Sequence, residues 1–258
     1  MINLKESKMK ISVVINTFNS ESTLVRCLDS VKSFDEIIIC DMYSSDQTLE
    51  IAKQYNCKIV MHEQTGIVEP ARNFAIQAAS SEWVFVVDSD EVIPSTLKEY
   101  LYKHINKSHP SSGLLIPCCN FFMGQFMHGA YPNYILRFMK KDQAFWPPII
   151  HAKPVISGKV DKIPAKHSLS FIHLAEETIS TRVQKIDIYT SKEVERRLDK
   201  KYSYCSLITN GFYRFFKMYI LKRGFLDGKP GLIYALMNSF YKIVTIAKIW
   251  EKQRQADK

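Results

Sequence analysis

The chain has 258 residues, 46% hydrophobic and 24% charged. That composition excludes a largely disordered protein and suits one large domain with at most a modest appendage. Its formal charge of +9 is lopsided, with 18 basic against 17 acidic residues in 1–175 and 17 against 9 in 176–258. A surplus confined to the last third points to an anionic surface met there. No nucleic-acid-binding motif accompanies it, so nucleic acid is not an expected partner.

Cys27, Cys40, Cys57, Cys118, Cys119 and Cys205 form no C-x-x-C pair, which argues against a zinc ribbon or a disulfide framework and for free thiols. The apolar run at 11–15 is too short for a signal-peptide core. The nearest approach to a membrane span, 232–250, contains Lys242 and Lys248. The expectation is a cytoplasmic chain, attached at most to a membrane surface.

From residue 11 the pattern alternates. ISVVI at 11–15 reads as a buried parallel strand, ending in the polar turn Asn16-Thr17-Phe18-Asn19-Ser20. Leu24, Val25, Leu28 and Val31 recur at helical spacing. Residues 36–40 (EIIIC) form a second buried strand, closed by Asp41 and the turn Tyr43-Ser44-Ser45-Asp46, where Ser45 or Asp46 caps a helix over 48–55. A third strand spans 58–61, Pro70 opens a helix over 71–79 with Asn73 on its surface, and a fourth strand at 83–87 runs into Asp88-Ser89-Asp90-Glu91. This succession predicts an α/β fold with a mostly parallel, doubly wound sheet. Ligands of such sheets collect at the carboxyl ends of strands, where Asn16–Asn19, Asp41 and Asp88–Asp90 fall.

Beyond residue 106 the alternation loosens. Strands are expected at 114–116 and 135–139, with a hairpin turn at Ser157-Gly158, around an aromatic stretch with Phe121, Phe122, Phe126, His128, Tyr131, Trp146 and His151. From 176 onward the pattern is helical, basic and aromatic, broken at 224–231. There Arg214, Lys217, Lys222 and Arg223 lie among Phe212, Tyr213, Phe215, Phe216 and Tyr219, a composition suited to a membrane interface, or to packing with a solvated basic face.

Two carboxylates spaced i, i+2 past a buried strand, Asp88 and Asp90, suit a hard cation that in turn binds a diphosphate. Asp41 suits a nucleobase or ribose, or a simple strand-ending turn, and Arg72 suits a phosphate or a surface ion pair. There is no G-x-G-x-x-G after the first strand and no P-loop motif, which disfavours dinucleotide and P-loop enzymes. The seven histidines show no metal-ligand spacing, and His167 and His173 read as ordinary polar residues.

ISVVINTFNS (11–20), DMYSSDQT (41–48), EPARNFA (69–75) and VDSDE (87–91), in that order, resemble the family 2 inverting glycosyltransferases of the GT-A fold. GQFMHGAYPNYILRF (124–138), the His151 region and 219–250 are similar, more particularly, to bacterial lipopolysaccharide core β-glucosyltransferases. The resemblance implies a nucleotide-sugar-binding half over 1–105, an acceptor-binding half over 106–175 and a basic helical membrane-associating extension over 176–258. It places the donor on Asn16, Thr17, Phe18, Asn19, Asp41, Arg72, Asp88 and Ser89, and Mg²⁺ or Mn²⁺ on Asp88 and Asp90. His128, Tyr131, Asn133, Arg137 and His151 fall in its acceptor pocket. It implies a UDP-linked donor and a glycolipid acceptor. The sequence departs from the family at Asn133 and Ala152, where relatives often carry acids, so either another carboxylate is the general base, with Asp90, Glu91 and Glu69 as the candidates, or the chain is a weakly active or inactive sugar-nucleotide-binding protein on the same scaffold.

Overall fold

The computed structural model describes residues 10–64, 68–147, 152–174 and 178–256. Two compact units divide the chain: residues up to 119 with 132–173, and 120–131 with 174 onward.

In the first unit, β1 (Ile11–Thr17), α1 (Glu21–Val31), β2 (Glu36–Asp41), α2 (Thr48–Gln54), β3 (Lys58–Met61), α3 (Glu69–Ala78) and β4 (Trp83–Asp88) follow the predicted alternation. The short β5 (Glu91–Val92) and α4 (Ser95–Ile105) come next. β1 pairs in parallel with β2 on one edge and β4 on the other, and helices α1 and α3 pack on its two faces, so all seven of its residues are buried. Side chains alternate between two cores. Ile11, Val13, Ile15, Trp83, Phe85 and Val87 join Leu24, Leu28 and Leu97 on one face, while Val14, Ile38, Val84 and Val86 join Ala71, Ala75 and Ile76 on the other. Each large apolar side chain so buried contributes about 1.5–3 kcal/mol.

β6 (Gly113–Phe122), β7 (Gln125–Phe126), β8 (Asn133–Lys140), β9 (Ala144–Phe145), β10 (Val155–Ile156), β11 (Val160–Lys162) and β12 (Phe171–His173) complete the strands. The main sheet runs β3-β2-β1-β4-β8-β6-β12-β5. Its first four strands are parallel, whereas β8 is antiparallel to β4 and β6, and β12 to β5. The chain therefore leaves β4 in mid-sheet at Asp88 and enters the terminal strand at Glu91. A curled sheet makes so short a step possible. The hairpin expected at Ser157-Gly158 does not form: β10 pairs with β9 and β11 with β6, because the pairing edges of those neighbours outcompete a local turn.

The second unit joins the β6–β7 hairpin tip to three helices, α5 (Ile179–Glu195), α6 (Tyr204–Phe216) and α7 (Gly228–Ala256). Met123 and Gly124 turn the hairpin with φ of 51° and 77°, the left-handed pair that matches strand twist. Thr178 and Ser203 cap α5 and α6 by accepting from the N–H of Thr181 and Ser206. Helices α6 and α7 approach closely at Gly211, where a Cβ would lie 2.9 Å from Ile243 Cγ1. The break expected at 224–231 is present: a short 3₁₀ turn over 224–227 precedes α7. Contrary to the sequence expectation, the helix over 224–256 is long and apolar enough to cross a membrane by length and composition. Two of its lysines are engaged inside the unit, however, Lys248 with Asp187 at 2.7 Å and Lys242 with Glu193 at 3.6 Å.

Candidate active site

The loops after β1 and β2 are laced together. Asp41 is fully buried, and its carboxylate accepts from Thr17 Oγ1 at 2.7 Å, Ser44 Oγ at 2.6 Å and Ser44 N at 2.8 Å. Asn19 Oδ1 accepts from Ser45 N at 2.9 Å, and Asn19 N donates to Ser44 Oγ at 2.9 Å. Asp46 supports the starts of both following helices, accepting from Glu21 N and Thr48 N at 3.0 Å each. Asp41 thereby ties together the loops that carry Phe18 and Tyr43, both exposed. The buried amide of Asn16 meets only the thiol of Cys40, a weak partner, and so retains unspent hydrogen-bonding capacity at this strand end.

At the end of β4, Asp88 sits between two guanidiniums. Arg72 Nη2, from α3, donates to Oδ1 at 2.7 Å, and Arg137 Nη2, from β8, donates to Oδ2. Arg137 also donates to Glu91 Oε1 at 3.0 Å, while Glu91 Oε2 accepts from Asp88 N at 2.9 Å. Burial opposes ionisation of Asp88, but Arg137 and then Arg72 outweigh it and hold the carboxyl well below the usual carboxylate range. For Glu91, burial and the charge of Asp88 prevail over Arg137 and raise the pKa to about 7. Arg72 lies over the ring of Trp146 at 4.8 Å and keeps one buried guanidinium nitrogen, Nη1, without a partner. Ser89 contacts Ser20 Oγ at 3.1 Å.

Asp90 has a different partner. His173, ending β12, places Nε2 3.0 Å from Asp90 Oδ2, and both side chains remain more than a third exposed. Burial lowers the imidazole pKa, but the bond to Asp90 and the charges of Asp90, Glu91 and Asp88 outweigh it and raise it. The six acids and bases thus divide between a closed Arg72–Asp88–Arg137–Glu91 network and an open Asp90–His173 pair. No group of three or more metal-ligating His, Cys, Asp or Glu side chains occurs among the described residues.

Several expected assignments change. Asp88 and Asp90 do not share one set of partners, since guanidiniums occupy both oxygens of Asp88. Arg137, expected in the acceptor pocket, is buried beneath Asp88 and Glu91 because those two carboxylates need a counter-charge. Glu91, expected as a candidate base, spends both oxygens in that network. Glu69 is buried in the first turn of α3. Asn73 is not a surface residue: it exchanges two hydrogen bonds with the backbone of Trp146, at 2.6 and 2.9 Å, and so holds the ring against Arg72. Asn133 is exposed at the start of β8.

His128 and Tyr131 belong to the second unit. There the carboxylate of Asp227 accepts from His128 N, His128 Nδ1 and Gly129 N at 2.9, 2.7 and 3.0 Å. Tyr131 packs edge-on against Phe126. His151 lies outside the described residues. Sequence reasoning missed Trp146 as the wall behind Arg72 and His173 as the partner of Asp90. No local signal marks His173, which meets Asp90 only through the β5–β12 pairing.

Over 94% of this chain and 87% of the other, the protein is 28% identical to "Uncharacterized glycosyltransferase RT0209" of Rickettsia typhi. It is 23% identical to "Lipopolysaccharide core biosynthesis glycosyltransferase LpsC" of Rhizobium meliloti, covering 95% and 93% of the two chains. Among solved structures it is similar to S. aureus TarS 1-349 at a TM-score of 0.48 and 19% identity, covering 96% of this chain and 92% of that one. The family model Glycosyl transferase family 2 matches residues 12–151, more than half the chain and the ends of β1, β2 and β4, and the protein belongs to that family.

Proposed function

We propose that the protein transfers a hexose, glucose from UDP-glucose, to a lipopolysaccharide core or other glycolipid acceptor, with inversion at the anomeric carbon. The observation that carries this reading is the set of polar groups left available where β1, β4 and β12 end: the Asn16 amide, Arg72 Nη1, and the open Asp90–His173 pair. Family membership supplies the reaction class, and the similarity to LpsC supports a lipopolysaccharide-type acceptor.

In this reading residues 1–105 hold the donor. The Asp41-fixed loops present Phe18 and Asn19 to the nucleotide, and Arg72, backed by Trp146, offers its free nitrogen to a phosphate. Asp90 and His173 are the residues that would hold Mg²⁺ or Mn²⁺. A carboxylate and an imidazole side by side, both partly exposed, are side chains that would suit a divalent cation. Such an ion, when bound, neutralises charge developing on the leaving nucleoside diphosphate. Asp88 acts as the anchor that aims Arg72 at that locus. The acceptor side is assigned to 106–175, where Asn133 stands exposed at the position of the family's acid. The reaction belongs at the cytoplasmic face of the membrane, where a lipid-linked acceptor and a soluble donor meet.

The test is nucleoside diphosphate release from UDP-, GDP- and dTDP-sugars, with Mn²⁺ or EDTA and a bacterial lipid extract as acceptor. Metal-dependent release from UDP-glucose is expected, and release from another donor would reassign the sugar. Asn133 favours a second reading, a sugar-nucleotide-binding protein of low activity on the same scaffold. It becomes the better one if UDP with Mn²⁺ raises the melting temperature while no donor is turned over.

A further inference from the structure

The second unit carries two apolar rows whose centres stay exposed. On α6, Ile208, Phe212 and Phe216 recur at i, i+4 and i+8, with Ile208 72% and Phe212 68% exposed. On α7, Leu236, Phe240 and Ile243 recur at i, i+4 and i+7, with Leu236 51% and Phe240 47% exposed. Gly211 faces Ser239 and Ile243, Arg214 bonds Asn238 at 3.0 Å, and Tyr204 packs on Trp250, so the two helices are antiparallel. Turning about 100° per residue from Gly211 and from Ser239, both rows emerge on the same side of the pair. Leu221, Phe225 and Leu226, all exposed, add to the apolar surface where the chain passes from α6 to α7. A soluble monomer rarely leaves so large an apolar face bare.

The charges beside this face decide its occupant. By the same turn Lys229 lies on the side of the rows, and Lys222 and Arg223 lie where the chain passes from α6 to α7, whereas residues 203–240 contain a single acid, Asp227. Asp227 is buried and committed to the 128–129 backbone. Burial depresses the pKa of Lys222, and the neighbouring Arg214 and Lys217 add to the effect, as expected of a basic cluster with no neutralising acid. A second copy would bring this positive surface against itself. A polyanionic nucleic acid would leave the apolar rows wet.

We infer that the joint α6–α7 face is a docking surface for an anionic lipid bilayer, with Phe212 and Phe240 entering the headgroup region and Lys222 and Arg223 meeting lipid phosphates. Helix α7 lies along the membrane and does not cross it, because Lys242 and Lys248 on its other side are bound to Glu193 and Asp187 of α5. The inference goes beyond the transfer reaction and needs no sugar nucleotide to be tested.

The experiment is co-sedimentation of the full chain with phosphatidylcholine vesicles, with and without phosphatidylglycerol, accompanied by sedimentation velocity. Wild type is expected to bind the anionic vesicles. Phe212→Ser with Phe240→Ser should weaken that binding by ~10-fold or more. Lys222→Glu with Arg223→Glu should remove the preference for anionic lipid, and both variants should melt as wild type does. Equal binding of wild type and the Phe212→Ser, Phe240→Ser variant overturns the inference. So does a dimer that these serines dissociate in a chain that ignores vesicles. A chain that binds vesicles yet releases no nucleoside diphosphate leaves this inference standing and sinks the transferase reading.

Discussion

Nε2 of His173 lies 3.0 Å from Oδ2 of Asp90, although 83 positions separate them in the chain. Antiparallel pairing of β12 with β5, in the register His173↔Glu91, creates this proximity. If the pair holds the divalent cation, His173→Ala should raise the metal concentration needed for half-maximal nucleoside diphosphate release by ~10–100-fold, while Asp90→Asn abolishes metal-dependent turnover. The raised imidazole pKa sets the pH dependence. Metal needs the neutral ring, so metal affinity should climb as pH rises through the raised imidazole value, above the range of an ordinary histidine. Without metal the linkage is opposite in sense. The Asp90–His173 ion pair stabilises the fold below the unfolded imidazole value, and that contribution fades as pH rises through the higher folded one. Calorimetric Mn²⁺ titration at several pH values measures the first effect, and wild type unchanged by His173→Ala would remove the assignment.

The closed network makes a separate prediction. Arg137 neutralises two carboxylates while itself only 7% exposed, so Arg137→Ala should cost about 3–5 kcal/mol, measured by urea unfolding.

Glu91 also predicts a pH profile. With a folded pKa of about 7, against roughly 4.3 unfolded, the native state binds the extra proton between those values. Stability conferred by this group therefore falls as pH rises across that window. Glu91→Gln should gain on wild type between pH 5 and pH 8, in paired melts at each pH. A constant difference would show that Arg137 keeps Glu91 ionised throughout.

Asn133 bears on the rate of transfer. It is exposed at the first position of β8, so a carboxylate there needs no buried counter-charge. Asn133→Asp is expected to raise kcat by ~100-fold if the site lacks only its general base. Steady-state kinetics with the preferred donor would decide this, and an unchanged kcat would place the base elsewhere, leaving Glu69→Gln as the next variant.

In the second unit, Asp227 should matter far more than the histidine it binds. Its buried carboxylate accepts three N–H groups, two of them backbone, while the imidazole of His128 is 55% exposed. Asp227→Ala is expected to cost on the order of 3 kcal/mol by stranding those donors, and His128→Ala below about 1 kcal/mol. Comparable losses in chemical denaturation would mean that the ring carries structural weight of its own.

The sequence by itself determined the first four strands, their helices and the polar strand ends of the first unit. Those features are local: β-branched runs such as 11–15 and 36–40, the helical spacing of Leu24, Leu28 and Val31, and Pro70 at a helix start act within a few residues. It also located the break before α7 and the basic, aromatic composition of α6. Only the tertiary structure decided which acids do what. Asp88 and Asp90 are equivalent as a motif, yet Arg72 and Arg137 arrive at one and His173 at the other, from strands and helices 16, 49 and 83 positions away. Asn73 likewise became a clamp on Trp146 only because β9 brings that ring to α3. The physical reason is the reach of each interaction. Periodicity and capping are settled between neighbours in the chain, whereas the pairing of a buried charge depends on which distant strand the curled sheet lays beside it.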